Sequence, residues 1–226
     1  MAEDSANSAD PANSVDPANS VDPASDRLPL LDVAALTDEQ RALYDTIAAS
    51  RGRRPSGDGR RTSRVTDDDG RLLGPFNAML YSPSVGSPLQ ELGAAVRFRT
   101  GFTARERELA TLVVAARRRS DFEWYAHERI GRRAGITDDE LTALRSGRQP
   151  PLADARERVV YEVARALTDE GDLADALYAE AAATLGRPVL VELVTLVGYY
   201  AALALQLRVF RVGVPPGEPA MEWDPP

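Results

Sequence analysis

RERELATLVVAARRRSDFEWYAHERIGRRAGITDDELTAL, residues Arg105–Leu144, decides how this chain folds. Leu109, Leu112, Val113 and Ala116 recur at i, i+3, i+4 and i+7, the spacing of one buried face of an α-helix. Glu108 borders that stripe, where a carboxylate is seldom buried without a partner. A short turn near Ser120 leads into a second helix, so the two are expected to form an antiparallel hairpin. Thr103 with Glu106, and Thr137 with Glu140, have the spacing of capping boxes at helix starts. Asp121 is read as the cap of the second helix, which Gly135 ends; Gly147 ends the third.

His127 is the only histidine in the chain, and Glu123 lies four residues before it. On a helix that spacing puts a carboxylate and a side chain that titrates near neutral pH on one face. The hairpin brings Glu108 or its neighbours toward them, although sequence does not set the register. Each residue has a plainer reading as well. His127 and Glu123 would serve as a helix-stabilising pair, Glu108 as a partner of Arg105 or Arg119, and Trp124 as core or interface.

Outward from this stretch the pattern stays helical. Thr37 with Gln40 starts a helix over 38–50, and a turn-rich entry, GPFNAMLYSPSVG, covers 74–86. Further helices are expected over 88–99, 153–169, 173–185 and 188–212. No segment of any length has the two-residue period of a strand. The expectation is one all-α domain over 28–226, a bundle of about eight helices. Val189–Leu207 has the length of a membrane span, but Glu192, Thr195 and Gln206 interrupt it. It is read as a central or subunit-interface helix. Residues 1–27 repeat DPANSV and are expected to be a disordered acidic tail, dispensable for folding. Residues 51–74 are expected to be a long flexible loop.

Composition excludes several functions. The chain has no cysteine and no lysine, which removes disulfides, thiol peroxidase chemistry and lysine Schiff bases. A single histidine with scattered carboxylates lacks the usual zinc set, so no metal site is expected. Net charge is −8 and no basic face stands out, so no nucleic-acid partner is expected. The acidic N-terminus does not resemble a secretory signal, and the chain is expected to be cytoplasmic without a membrane partner.

The quoted stretch also resembles the carboxymuconolactone decarboxylase family of the alkylhydroperoxidase D-like superfamily. The resemblance rests on Arg107-Glu108-Leu109, on Phe122-Glu123-Trp124 with His127, and on Ala134-Gly135-Ile136-Thr137 with Glu140. It spans roughly residues 72–211. It implies an all-helical fold assembled as a trimer or hexamer, with a small-molecule pocket along the helix of Glu123 and His127. Peroxidase members carry a C-x-x-C pair on that helix, which this chain lacks. Decarboxylase members act on a carboxylated lactone without cofactor. The resemblance then implies His127 as proton donor or shuttle, Glu123 or Glu108 as the group that orients and tunes it, and Arg97 or Arg129 as carboxylate receptor. Trp124 is a candidate substrate contact. The expected function is therefore cofactor-free acid–base catalysis on a small carboxylated lactone or related enolisable compound. Its rivals are an isomerase or dehydratase step in the same pocket, and a non-catalytic oligomeric binding or scaffold protein.

Overall fold

A computed structural model describes residues 27–52, 65–215, 217–219 and 221–223. The expectations for the N-terminal repeat, and for most of the loop after residue 52, lie outside these residues. Among the described residues there are nine α-helices: α1 (Asp38–Gly52), α2 (Pro75–Tyr81), α3 (Pro83–Phe98), α4 (Ala104–Arg118), α5 (Asp121–Arg133), α6 (Asp138–Arg145), α7 (Ala155–Asp169), α8 (Asp175–Leu185) and α9 (Arg187–Val209). They include no strand, only an isolated bridge between Thr66 and Leu72. The fold is all-α, as the periodicity predicts.

Helix α4 is the axis of the fold, packed on α5, α7 and α9. The predicted stripe Leu109, Leu112, Val113 and Ala116 is buried, and so are Ala110, Thr111, Val114 and Ala115 between its members. A helix enclosed on nearly every side is a core element. Each large aliphatic side chain withdrawn from water there contributes roughly 1.5–3 kcal/mol. Helix α9 is the second core element. It buries Leu190, Leu193, Leu196, Tyr200, Leu203 and Leu207 and leaves Val191, Val194, Leu205 and Val209 exposed on its outer side.

Several boundaries differ by a few residues from the sequence expectation, three of them with a visible cause. Helix α3 begins at Pro83, not Pro88, which lies inside it. Pro83 is the first helical residue, where a missing N–H is tolerated. Helix α9 ends at Val209, three residues early, because Arg211 takes a left-handed conformation (φ 54°). Ser120, not Asp121, occupies the N-cap position of α5. Asp121 instead accepts a hydrogen bond from Trp223 Nε1 at 2.6 Å.

Two glycines set the walls around α5. Gly74 (φ 61°) lies so close to Phe122 that a Cβ would stand 2.2 Å from its ring. Gly93 in α3 faces Tyr199, where a Cβ would stand 2.2 Å from the hydroxyl. Neither position has room for a side chain, so α3 and α9 approach closely beside the face of α5 that carries His127.

Candidate active site

The α4–α5 connection is as short as two helices permit. Arg119 is left-handed (φ 49°) and closes α4. Its N–H bonds Ala116 O at 3.1 Å, and the Ser120 N–H bonds Ala115 O at 2.9 Å. This is a Schellman closure with arginine where glycine is usual. Ser120 therefore serves two helices, as the residue beyond α4 and as the cap position of α5. The hairpin that follows sets the register left open by sequence. Glu108 of α4 meets His127 of α5, with His127 Nδ1 2.7 Å from Glu108 Oε2.

Both partners are buried, Glu108 at 1% exposure and His127 at 8%. Burial alone would raise the Glu108 pKa. The charge and hydrogen bond of His127, with the charges of Arg107 and Arg97, outweigh it, and the pKa is lowered. Glu108 is thus the anionic acceptor, His127 Nδ1–H is the donor, and Nε2 is the nitrogen left for chemistry. Arg107 Nε stands 3.4 Å from the other Glu108 oxygen. Tyr200 meets the imidazole edge-on, with ring centroids 5.0 Å apart.

His127 lines a cleft enclosing about 530 Å³ of empty space, its open mouth included. The α5 wall is Phe122, Glu123, Ala126, His127 and Ile130, a helical stripe. Helix α3 contributes Arg97, α2 contributes Phe76, and α9 contributes Tyr199, Tyr200 and Leu203. Val65 lies at the cleft from the segment before α2. Burial raises the pKa of Tyr200, which keeps its hydroxyl neutral.

Glu123 shares the cleft with His127 but does not bond it. Both Glu123 carboxyl oxygens are buried with no hydrogen-bond partner, and so is Ser120 Oγ. Burial pushes the Glu123 pKa up to about 8 and outweighs the lowering influence of the Ser120 hydroxyl. At neutral pH Glu123 is a carboxylic acid. The residue that orients His127 is Glu108, the second of the two carboxylates considered for that role.

Two expected substrate contacts do not line the cleft. Trp124 is buried against Trp223, edge-on with centroids 5.7 Å apart. Arg129 lies over the Tyr125 ring, 4.0 Å from its centroid, and pairs with Glu218 at 2.8 Å. Arg129 is two residues from His127, about 200° around the helix, so the period itself separates the two. Of the two candidate arginines, Arg97 is the one at the cleft. Its guanidinium stands 5.1 Å from the centroid of the Phe98 ring. The tyrosine pair of α9, Phe76 and Ser120 were not singled out from sequence. Tyr199–Tyr200 interrupting an apolar helix was the available signal.

Comparison with known proteins agrees with this architecture. Residues 83–166 match the model of the carboxymuconolactone decarboxylase family. An AhpD-core protein of Ralstonia eutropha JMP134, described as an uncharacterized peroxidase-related protein, superposes with a TM-score of 0.65 at 13% identity. The match covers 84% of this chain and 92% of that one. A protein of unknown function from Agrobacterium tumefaciens, a putative antioxidant defence protein AhpD, gives 0.56 at 18% identity over 62% of this chain and 96% of its own. No functionally curated protein matches this chain. The stretch 83–166 is thus similar to that family, and the two solved structures share the fold of this chain.

Proposed function

We propose that this protein is an acid–base enzyme whose proton-transfer group is His127, and that it acts as a carboxy-lyase on a small carboxylated lactone or related enolisable compound. The observation that supports this reading is the Glu108–His127 pair. It is buried at 2.7 Å, fixes the tautomer, and leaves one imidazole nitrogen for the cleft. With Glu108 holding Nδ1–H, Nε2 is the nitrogen that gives a proton to the substrate and takes one back.

In the proposed step the carbon–carboxylate bond breaks and carbon dioxide leaves. The electron pair passes into the conjugated carbonyl as a dienolate, and His127 Nε2–H protonates the carbon. Charge delocalisation in the substrate makes the step feasible without an electron sink from elsewhere. Arg97 binds a substrate carboxylate as a charge-assisted partner. The peroxidase relation in the name of one structural neighbour does not carry over as thiol chemistry, because this chain has no cysteine.

Carboxylated lactones, screened by loss of absorbance and release of carbon dioxide, supply the assay. His127→Gln keeps the size of the side chain and is expected to lower turnover by about 10²–10⁴-fold, with circular dichroism unchanged. A His127→Gln variant that turns over a discovered substrate like the parent would sink this reading.

A further inference from the structure

Glu123 is buried, and its one polar neighbour, the Ser120 side chain, does not offset that burial. Burying a carboxyl without strong partners is destabilising, most of all in its charged form. The segment Ser120-Asp121-Phe122-Glu123 has the spacing of a capping box. A box would let Glu123 bond the Ser120 N–H. That N–H is already given to Ala115 O in the closure of α4. The short hairpin that brings Glu108 to His127 therefore strands Glu123, one turn from His127 and on the same cleft wall.

We propose that Glu123 is a neutral hydrogen-bond donor built into the cleft, which binds an acceptor oxygen of the ligand and so selects a carbonyl or carboxylate compound over one without such an oxygen. This rests on reading the cleft as the substrate site. It gives Glu123 a role separate from tuning His127. Its O–H donates to the ligand oxygen, while Arg97 supplies charge and His127 handles the proton at carbon.

The charged and titratable groups around it are consistent with that state. Helix α5 itself contributes His127, α4 contributes Glu108, α3 contributes Arg97, and α9 contributes Tyr199 and Tyr200. Of the two basic side chains, His127 is paired with Glu108, and no ion pair joins Arg97 to Glu123. The raised pKa of Glu123 agrees with the geometry. A ligand carboxylate would find a donor at pH 7 and a repelling anion well above pH 8.

Infrared difference spectra of the full chain test this with benzoate as the probe. At pH 6.5 the chain is expected to show the carbonyl band of a protonated carboxylic acid that disappears at pH 9.5 and is missing in Glu123→Gln. Saturating benzoate should shift that band to lower frequency. Calorimetry should show benzoate binding at least about tenfold weaker at pH 9.5 than at pH 6.5, a change that repulsion from one ionised neighbour readily supplies. Glu123→Gln, whose amide still donates, should bind alike at both pH values, and Arg97→Met should bind weakly at both. The proposal is overturned if the band is absent, if benzoate neither binds nor shifts it, or if Glu123→Gln retains the parent's pH dependence. Loss of the catalytic reading through His127→Gln would leave these spectra unchanged, so the two failures are separable.

Discussion

At the start of α6, Thr137 and Glu140 exchange hydrogen bonds: Thr137 Oγ1 accepts from the Glu140 N–H at 3.3 Å, and Glu140 Oε2 accepts from the Thr137 N–H at 2.8 Å. At the start of α5, Ser120 and Glu123 have the same spacing and exchange none. The start of α4 follows the closed pattern through Thr103 and Glu106. Both of these Thr–Glu boxes recruit an arginine besides. Arg105 of α4 reaches Glu140 at 2.5 Å and Glu157 of α7 at 2.8 Å. Arg156 reaches Glu106 at 2.6 Å. The consequence shows in the acid strengths. Burial works to raise both carboxyls, yet Arg105 and the box amide carry Glu140 below its ordinary pKa, while Glu123, without such help, rises to about 8. One sequence pattern yields a structural anion in one place and a chemically available acid in the other. What separates them is whether the cap N–H is free, and at Ser120 the preceding helix has used it.

The largest expected break in that comparison is Arg105→Met. It leaves Glu140 and Glu157 without their cation inside the α4–α6–α7 contact. Removing one member of a buried pair costs about 3–5 kcal/mol, and Arg105 is only partly exposed. A fall in melting temperature of roughly 10 °C at pH 7 is expected. A change within a degree or two would show that the closed box holds its glutamate without the arginine.

Glu123→Gln should act in the opposite direction, by an amount that grows as pH rises from about 4.5 to about 8. The folded pKa is about 8 and the ordinary value 4.5. Between them the folded state binds a proton that the unfolded state has lost. Stability is therefore fully present below about pH 4.5, declines as pH rises, and levels off above about pH 8. The amide cannot ionise, so relative to the parent it gains with pH. At pH 9 a gain on the order of 2–3 kcal/mol is expected, below the full value of the shift because water entry would ease the burial. Parallel stability–pH curves for the two chains would show that Glu123 is already ionised in the fold.

Much of this structure was legible because it is local. Periodicity gave the burial of α4, and the Thr–x–x–Glu spacing located its start and that of α6. The Glu123–His127 face followed from a four-residue step. The Glu108–His127 contact did not, because it depends on how tightly two helices are joined, and a left-handed arginine leaves no local signal of its own. Trp124 and Arg129 were misplaced for a related reason. Their surroundings are the residues near the C-terminus, Glu218 and Trp223, about a hundred positions away in sequence. The open box had a legible spacing but not a legible outcome. Its failure is caused by a hydrogen bond belonging to another helix.

The smallest effect concerns the cap residues themselves. Thr137→Ala removes a side chain that accepts the Glu140 N–H, and loss of such a cap typically costs about 1 kcal/mol. Ser120→Ala removes a hydroxyl in the same position of its helix that caps nothing. The Ser120 hydroxyl is buried and unpaired, so deleting it also removes a group that lost its water on folding. A change of less than about 0.5 kcal/mol, of either sign, is expected for Ser120→Ala at pH 7. Paired chemical denaturation of the two variants measures the difference directly. If Ser120→Ala costs as much as Thr137→Ala, then Ser120 does bond Glu123 or the helix start in solution. The α5 box would then be closed, and Glu123 would have a protein partner in place of the ligand oxygen assigned to it.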